Sequence, residues 1–517
     1  MDILLILLPI IAVLGLLVFL KWPADLAGLI GWLLTVAIAY LFFHTSLRVS
    51  LTSTVMGMVR SFPVSLMVAT SLLQITFLES TGALQRIVVF VKTIARSNHA
   101  VQIMIINMGI GTLLVAVGAT PVSILPPIML AMGYSTFVAV ALPALGFDGL
   151  CTYALLGAPL VAFADLTGTP ISSSALVFSK FMPVISTMIG FGMLWIVGGW
   201  KKVVEGFIPC LLAGLSMGFT AVAVAHWLPN GVVLTGVFAG LATILVMMGL
   251  LKVQGGTLID RSAISESDLA VENSMSLFKA LAPWLILIIC CLIVNFWAPA
   301  LTLLSKQLAM PFNLIPGGKP IATRMLWNAY TWVIISTLLA VPFITPTKKQ
   351  WKEIGLKWLK RAPRPVFSAA IFFAIAEVLV NSGMSSEGAV WKIANPDWNM
   401  ISVLATTSAN FFKGLYPVVA AYLGLMGGFV TGSEASAIAL YAKYNAITTK
   451  LLNLNTLVVT AGIAIAGGLA SVISPAKLQN AAATIDALGI ESKVIKTAVI
   501  IAIVFTAVAA ILTYIWA

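Results

Sequence analysis

The chain has 517 residues, 60% of them hydrophobic and only 9% charged, against roughly a quarter charged in ordinary soluble domains, so a water-soluble enzyme is excluded. The formal charge of +12 comes from Lys and Arg scattered over many short loops. That pattern makes no basic domain for nucleic acid and reads as the excess of positive charge on the cytoplasmic loops of an integral membrane protein. Apolar runs of the roughly 20 residues that span a bilayer recur along the chain, and predict an all-α polytopic membrane protein with about 12 crossing helices.

Met1 to Leu20 lacks a basic start, carries Asp2, and meets its first positive charge, Lys21, only after the apolar run. It is expected to be an uncleaved helix with its N-terminus outside rather than a signal peptide. Ala24 to Phe43 returns, and Pro63 to Glu79 crosses to a cytoplasmic stretch carrying Arg86, Lys92 and Arg96. Val101 to Ala131 is apolar but interrupted by Val117-Gly118-Ala119-Thr120-Pro121 and then Pro126-Pro127, which remove backbone donors and break a helix at membrane depth. This predicts a re-entrant hairpin. A second break, Leu145-Gly146-Phe147-Asp148-Gly149, follows it.

Phe181 to Trp200 then crosses inward, ending on Lys201 and Lys202. Phe207 to Leu228, Gly231 to Leu251, Leu281 to Leu304 and Leu326 to Phe343 alternate across the membrane, with the acidic, Ser-rich Gln254 to Ser276 as a cytoplasmic linker. Thr347 to Arg364 holds Lys348, Lys349, Lys352, Lys357, Lys360, Arg361 and Arg364 beside Trp351 and Trp358, as an interfacial cytoplasmic helix would.

Pro63-Val64-Ser65 up to Glu79-Ser80-Thr81-Gly82 resembles Pro365-Val366-Phe367-Ser368 up to Asn381-Ser382-Gly383. The charges start the first copy outside and the second inside, so the copies are inverted. In the second half Leu415 to Tyr444 is interrupted by Phe429 to Ser436, a second re-entrant hairpin, and Gly467 to Pro475 makes a further break. Inverted repeats with discontinuous helices mark secondary transporters, whose site lies where the repeats meet. Half-helix N-termini present unpaired N–H groups and positive dipole ends, which suit a carboxylate.

The candidate substrate-binding residues are therefore Gly118, Ala119, Thr120, Pro121, Ser123, Gly146, Gly149, Thr431, Gly432, Ser433, Ser436, Ser474 and Pro475. The alternative is that such small residues only permit close helix packing. Asp148 and Glu434, acids at breaks, are the candidates for proton or ion coupling, and Lys477 for pairing with the substrate charge, with snorkelling to the cytoplasmic surface just past Pro475 as its alternative. Glu79, Glu377 and Asp165 also fall in or beside apolar segments; Glu79 and Glu377 have an interfacial place as an equal alternative. Cys151, Cys210, Cys290 and Cys291 lie in apolar runs without paired spacing and read as small core residues. His44, His99 and His226 are far apart in sequence, which argues against a His metal cluster, and no Walker phosphate loop, paired Cys-x-x-Cys or Ser/His/Asp arrangement is present, so no cofactor is expected beyond a coupling proton or sodium ion.

At these residues the chain resembles the lactate permease family. The match is strongest at Phe429-Val430-Thr431-Gly432-Ser433-Glu434-Ala435-Ser436-Ala437 and at Ile473-Ser474-Pro475 followed by Ala487-Leu488-Gly489-Ile490-Glu491-Ser492, with weaker agreement from about Pro63 to Pro183. The chain departs from the family's Gly-Phe-Gly-Ala-Pro signature at Val117 to Pro121, has Leu113 and Leu114 where the family's glutamate would fall, carries the acid Asp148, and has Glu434 in place of an aspartate.

The resemblance implies a divergent proton symporter of a small 2-hydroxy monocarboxylate such as lactate or glycolate. It also implies the wider ion-transporter superfamily, with a scaffold domain and a transport domain that moves like an elevator. Sodium coupling or another small anion is the alternative, and a non-transporting membrane scaffold subunit the more distant one. The expected organisation is N-terminal helices over 1–62, a first repeat and following helices over 63–253, the linker over 254–276, scaffold helices and the basic helix over 277–364, and the second repeat over 365–517. The expected partners are a small carboxylate and the lipid bilayer, with a homodimer as a further expectation. The location implied is a bacterial inner membrane with both termini outside.

Overall fold

The computed structural model describes residues 2–18, 20, 22–94, 98–146, 150–262 and 264–517. Two of the candidates, Asp148 and Gly149, lie outside the described residues. The long Leu-, Ile- and Ala-rich runs become helices because a helix satisfies its own backbone polar groups, the condition for lying in hydrocarbon.

The first half runs through α1 (Asp2–Val18), α2 (Ala24–Phe42), α3 (Leu47–Arg60), α4 (Phe62–Ser80), α5 (Ala83–Lys92), α6 (His99–Ile103), α7 (Gly111–Ala116), α8 (Pro121–Ala131), α9 (Thr136–Gly146) and α10 (Ala154–Thr167). Then come α11 (Ile171–Glu205), α12 (Phe207–Trp227), α13 (Thr235–Val253), α14 (Glu266–Ser274), α15 (Leu277–Phe296), the short α16 (Ala298–Thr302), α17 (Ala329–Ile344) and α18 (Lys348–Arg361). The remainder is α19 (Pro363–Asn381), α20 (Met400–Phe412), α21 (Tyr416–Thr431), α22 (Glu434–Leu451), α23 (Thr456–Leu469), α24 (Pro475–Ala483) and α25 (Glu491–Trp516). The described strands form two small antiparallel pairs, Pro311–Phe312 with Ile321–Ala322 and Met384–Ser385 with Lys392–Ile393.

Ten helical segments are long and apolar enough to cross a membrane, or eleven if α9 and Cys151–Thr167, bent by 69° at their break, form one span. The chain is a multi-pass membrane protein. The number falls below the expected 12, and the apolar parts of α1 and α17, both expected to cross, are among the shorter apolar helices.

Three expected segments differ in detail. The crossing at Leu281 to Leu304 ends at Phe296, where Trp297 turns extended and α16 follows. The linker contains α14, started by a Ser265/Asp268 capping box and docked on α5 through Lys92–Asp268 at 2.9 Å and Arg86–Glu272 at 3.3 Å. The basic segment is α18, and it is pinned to protein: the Trp358 indole donates to the Ala69 carbonyl at 2.8 Å and Trp351 packs on Phe77.

Small residues set the closest helix contacts, as expected where lipid removes any hydrophobic drive between helices. Gly57 of α3 rests on the backbone of Phe373 and Ala374 in α19, while Gly424 and Gly428 of α21 rest on the carbonyls of Ile463 and Gly467 in α23. The two halves also cross over: α10 packs on α22, and α24 on α8 and α9.

Helices stop inside this packed region at four places. α7 ends at Ala116 and α8 begins at Pro121; α21 ends at Thr431 and α22 begins at Glu434. α9 ends at Gly146 before the 3₁₀ turn Cys151–Tyr153, and α23 ends before the 3₁₀ turn Ala470–Ile473 and α24. α10 itself opens on a left-handed turn, with φ of 53° at Leu155, 52° at Leu156 and 74° at Gly157.

Candidate functional site

The first chain reversal is made by residues 117–120. Gly118 takes φ of +92°, and a methyl there would lie 2.9 Å from the Ser71 Cβ, so the turn fits against α4 only with glycine. Thr120 is extended and Pro121, whose ring fixes φ, starts α8. In the second reversal Gly432 sits at φ of +65° and Ser433 is extended, capping α22 by accepting the Ser436 N–H at 3.4 Å. Glu434, the first residue of α22, therefore lies at the positive end of that helix.

These reversals, α4 and α24 enclose a cavity of about 590 Å³. Gly118, Ala119, Thr120, Ser123, Gly432, Ser433, Glu434 and Lys477 line it. Glu434 is only 2% exposed. Its Oε1 accepts a hydrogen bond from the Thr152 hydroxyl at 2.7 Å, Cys151 lies beside it, and Lys477 is near enough to act on its charge. Gly468 makes room for it, since a methyl there would approach Glu434 Oε2 to 2.9 Å. The Lys477 ammonium donates to Ser471 Oγ at 2.5 Å. Asn480 Nδ2 donates to Ser123 Oγ at 2.9 Å, and Ser123 Oγ is 3.0 Å from Thr120 Oγ1. The cavity reaches Glu79 and Arg361, an ion pair at 2.5 Å where α18 meets α4.

Other candidates stand behind this surface or apart from it. Pro121 is buried at the start of α8, and Ser436 is buried with its N–H on Ser433. The Thr431 hydroxyl lies 2.9 Å from the Gly427 carbonyl and accepts the Ser433 N–H at 3.2 Å, so it braces the reversal. Ser474 and Pro475 start α24, with Ser474 Oγ 3.0 Å from where a Gly432 methyl would be. Gly146 is a packing glycine: a methyl there would meet the Asn107 carbonyl at 2.8 Å and Met193 Cε at 3.0 Å. Glu377 pairs with Arg60 at 2.6 Å and Asp165 with Arg324 at 3.5 Å, both away from the cavity.

The sequence reading missed Thr152, Ser71, Asn480 and the closure by Arg361. Asn480 was within reach of it, because it follows Lys477 by three residues and so shares its helix face. Thr152 and Ser71 are short hydroxyls inside apolar runs, and nothing local distinguishes them.

A cavity with one buried carboxylate, one ammonium, hydroxyls and two helix starts can hold a small anion that also bears a hydroxyl. The family model described as L-lactate permease matches residues 2–517. The chain belongs to the L-lactate permease family. It is thus a transporter and not an enzyme. It is 23% identical over 449 residues to the L-lactate permease of Streptococcus iniae, covering 86% of this chain and 90% of that one. It is 22% identical over 549 residues to the glycolate permease GlcA of Escherichia coli (strain K12), covering 98% and 94%. It is 22% identical over 513 residues to the L-lactate permease of Bacillus subtilis (strain 168), covering 90% and 87%.

Proposed function

We propose that the protein is a secondary transporter that carries a small 2-hydroxy monocarboxylate, of the lactate or glycolate kind, together with protons. The observation that carries this reading is the convergence of Glu434, Lys477 and both chain reversals on one cavity of about 590 Å³, within the roughly 300–1,000 Å³ typical of small-molecule sites. In this reading Lys477 and the helix starts attract the carboxylate, Thr120, Ser123 and Ser433 hold the substrate hydroxyl, and Glu434 exchanges the proton.

Movement of the two reversals with α10 and α22 past α4 and α18 would carry the site across, as an elevator does. Two inverted repeats, each with a re-entrant hairpin followed by a broken helix, underlie the proposal. The reciprocal contacts α10 on α22 and α24 on α8 support it, because inverted copies meeting face to face would give such exchange. With the Lys- and Arg-rich α18 at the cytoplasm and both termini outside, the cavity opens inward, since it reaches Arg361.

Uptake of radiolabelled L-lactate into proteoliposomes under an inward proton gradient tests the proposal, with glycolate, pyruvate and succinate as unlabelled competitors. Accumulation collapsed by a protonophore is the expected result. Uptake that ignores the protonophore but needs sodium would replace the coupling ion, and no uptake by folded, inserted protein would refute lactate as substrate.

A further inference from the structure

Three cavities follow one another along α10. Leu155 and Pro159 line the large one described above. Leu155 also lines a small one of about 20 Å³, with Leu156, Ala158 and Val161, where there is room for one water. That cavity shares Val233, Asn295 and Trp327 with a third, of about 320 Å³, at the far end of α10 beside Ala164 and Asp165. The left-handed turn at Leu155–Gly157 gives Leu155 to both the first and the second and Leu156 to the second.

The third cavity is chemically furnished. Lys306 and Arg324 bring two cations to it against one carboxylate, Asp165. The Arg324–Asp165 contact is long, at 3.5 Å, so the guanidinium is not saturated by it. Trp327 is 8% exposed and Asn295 4%, yet Trp327 Nε1 and Asn295 Oδ1 have no hydrogen-bond partner among the described residues. Leaving a buried donor and a buried acceptor unmatched carries their full desolvation penalty unless a ligand or water takes them. Two cations and an indole N–H fit a carboxylate, and an amide oxygen beside them fits a neighbouring hydroxyl.

We propose that this cavity is a second binding site for a small 2-hydroxy carboxylate, at the opposite end of α10 from the central site. The identity of the ligand rests on the transport reading above, whereas its charge preference does not. The site would concentrate anions at the end of α10 away from α18 before the central cavity turns toward that side.

The test uses the full-length protein in lipid nanodiscs, where both faces are accessible, with Ser172→Cys placing a thiol in the lining. Its modification is followed by site-resolved mass spectrometry, so that native cysteines are read separately. A negatively charged thiosulfonate reagent should react about tenfold faster than a positively charged one, and the preference should vanish with Arg324→Gln. L-lactate should slow the reaction, and Trp327→Phe, which removes only the indole N–H, should weaken that protection about tenfold. Equal rates for the two reagents, or a preference that survives Arg324→Gln, would overturn the site. Protection by chloride or inorganic phosphate equal to that by L-lactate would overturn its carboxylate assignment. If the wild type transports no lactate, the charge preference and its loss in Arg324→Gln still decide this proposal separately.

Discussion

Gly118→Ala is the most informative single change, because a matched control exists in the same chain. Gly118 and Gly133 have nearly the same positive φ, +92° and +90°, but a methyl on Gly133 meets nothing within 4 Å whereas one on Gly118 lies 2.9 Å from Ser71 Cβ. A non-glycine residue in this conformation costs about 1–2 kcal/mol, and overpacking adds about 1–3 kcal/mol. Gly133→Ala should therefore lose about 1–2 kcal/mol and Gly118→Ala about 2–5 kcal/mol. Reversible unfolding in mixed micelles reads the difference. Ser71→Gly removes the opposing carbon, so the double variant should recover the overpacking share, a coupling of about 1–3 kcal/mol in a double-mutant cycle. Apparent lactate affinity in uptake should fall about tenfold for each 1.4 kcal/mol of binding free energy lost through the shifted reversal of Gly118→Ala, and stay near wild type in Gly133→Ala. Equal losses at the two glycines, or no relief by Ser71→Gly, would refute the view that the first reversal is set by its fit against α4.

Further outcomes follow from the same geometry. Glu434→Gln should abolish proton-driven uptake while the protein stays monodisperse, and Thr152→Val should reduce uptake about tenfold by removing a hydrogen bond to a charged group; wild-type uptake in Glu434→Gln would end its assigned role. Glu79→Gln should change unfolding free energy by no more than about 1 kcal/mol, because its partner Arg361 is about half exposed and surface pairs are weak. Burial pushes the Asp268 carboxyl up, but the Lys92 ammonium and the Ser265 amide outweigh it and hold it below its usual value of 3.8. Its folded value being depressed, the docking energy of α14 is present above the unfolded value and lost as pH falls through the folded one. Hydrogen exchange in α14, corrected for intrinsic rate, should thus be flat from neutral pH to about 5 and rise below about 4; Asp268→Asn should already be raised at neutral pH.

The family, the helical class and four of the helix breaks were legible in the sequence, because Gly, Pro and Ser/Thr clusters stand out against apolar runs; the break expected at Pro126-Pro127 is not one, since α8 runs through both prolines, and the kinks at Leu155–Gly157 and Gly198–Gly199 were not foreseen. Gly118, Thr120, Gly432 and Glu434 could be named for that reason. What could not be read was which side of each break faces the cavity. Gly146 and Thr431 look like their neighbours in composition, yet one packs on Asn107 and the other braces its own helix end. Thr152 was hidden for the opposite reason. It matters through a carboxylate 282 residues later, and no periodicity reports a contact of that range. Segment lengths failed where apolar composition runs past a helix end, as at Phe296, since hydropathy does not mark the Trp297 turn.

The exchange of contacts between the halves bears on how the protein is made. Ser123 waits for Asn480, 357 residues downstream, and the Thr152 hydroxyl for Glu434. Synthesis delivers the N-terminal half first, so the first reversal enters the membrane with polar backbone whose eventual neighbours have not left the ribosome. Until α24 emerges, those groups must be met by water, lipid headgroups or an insertion factor. A chain interrupted after α18 would then hold most of its helices and the first reversal but lack Glu434, Lys477 and Asn480, and quality control acting on unsatisfied polar groups would have a long interval in which to find it.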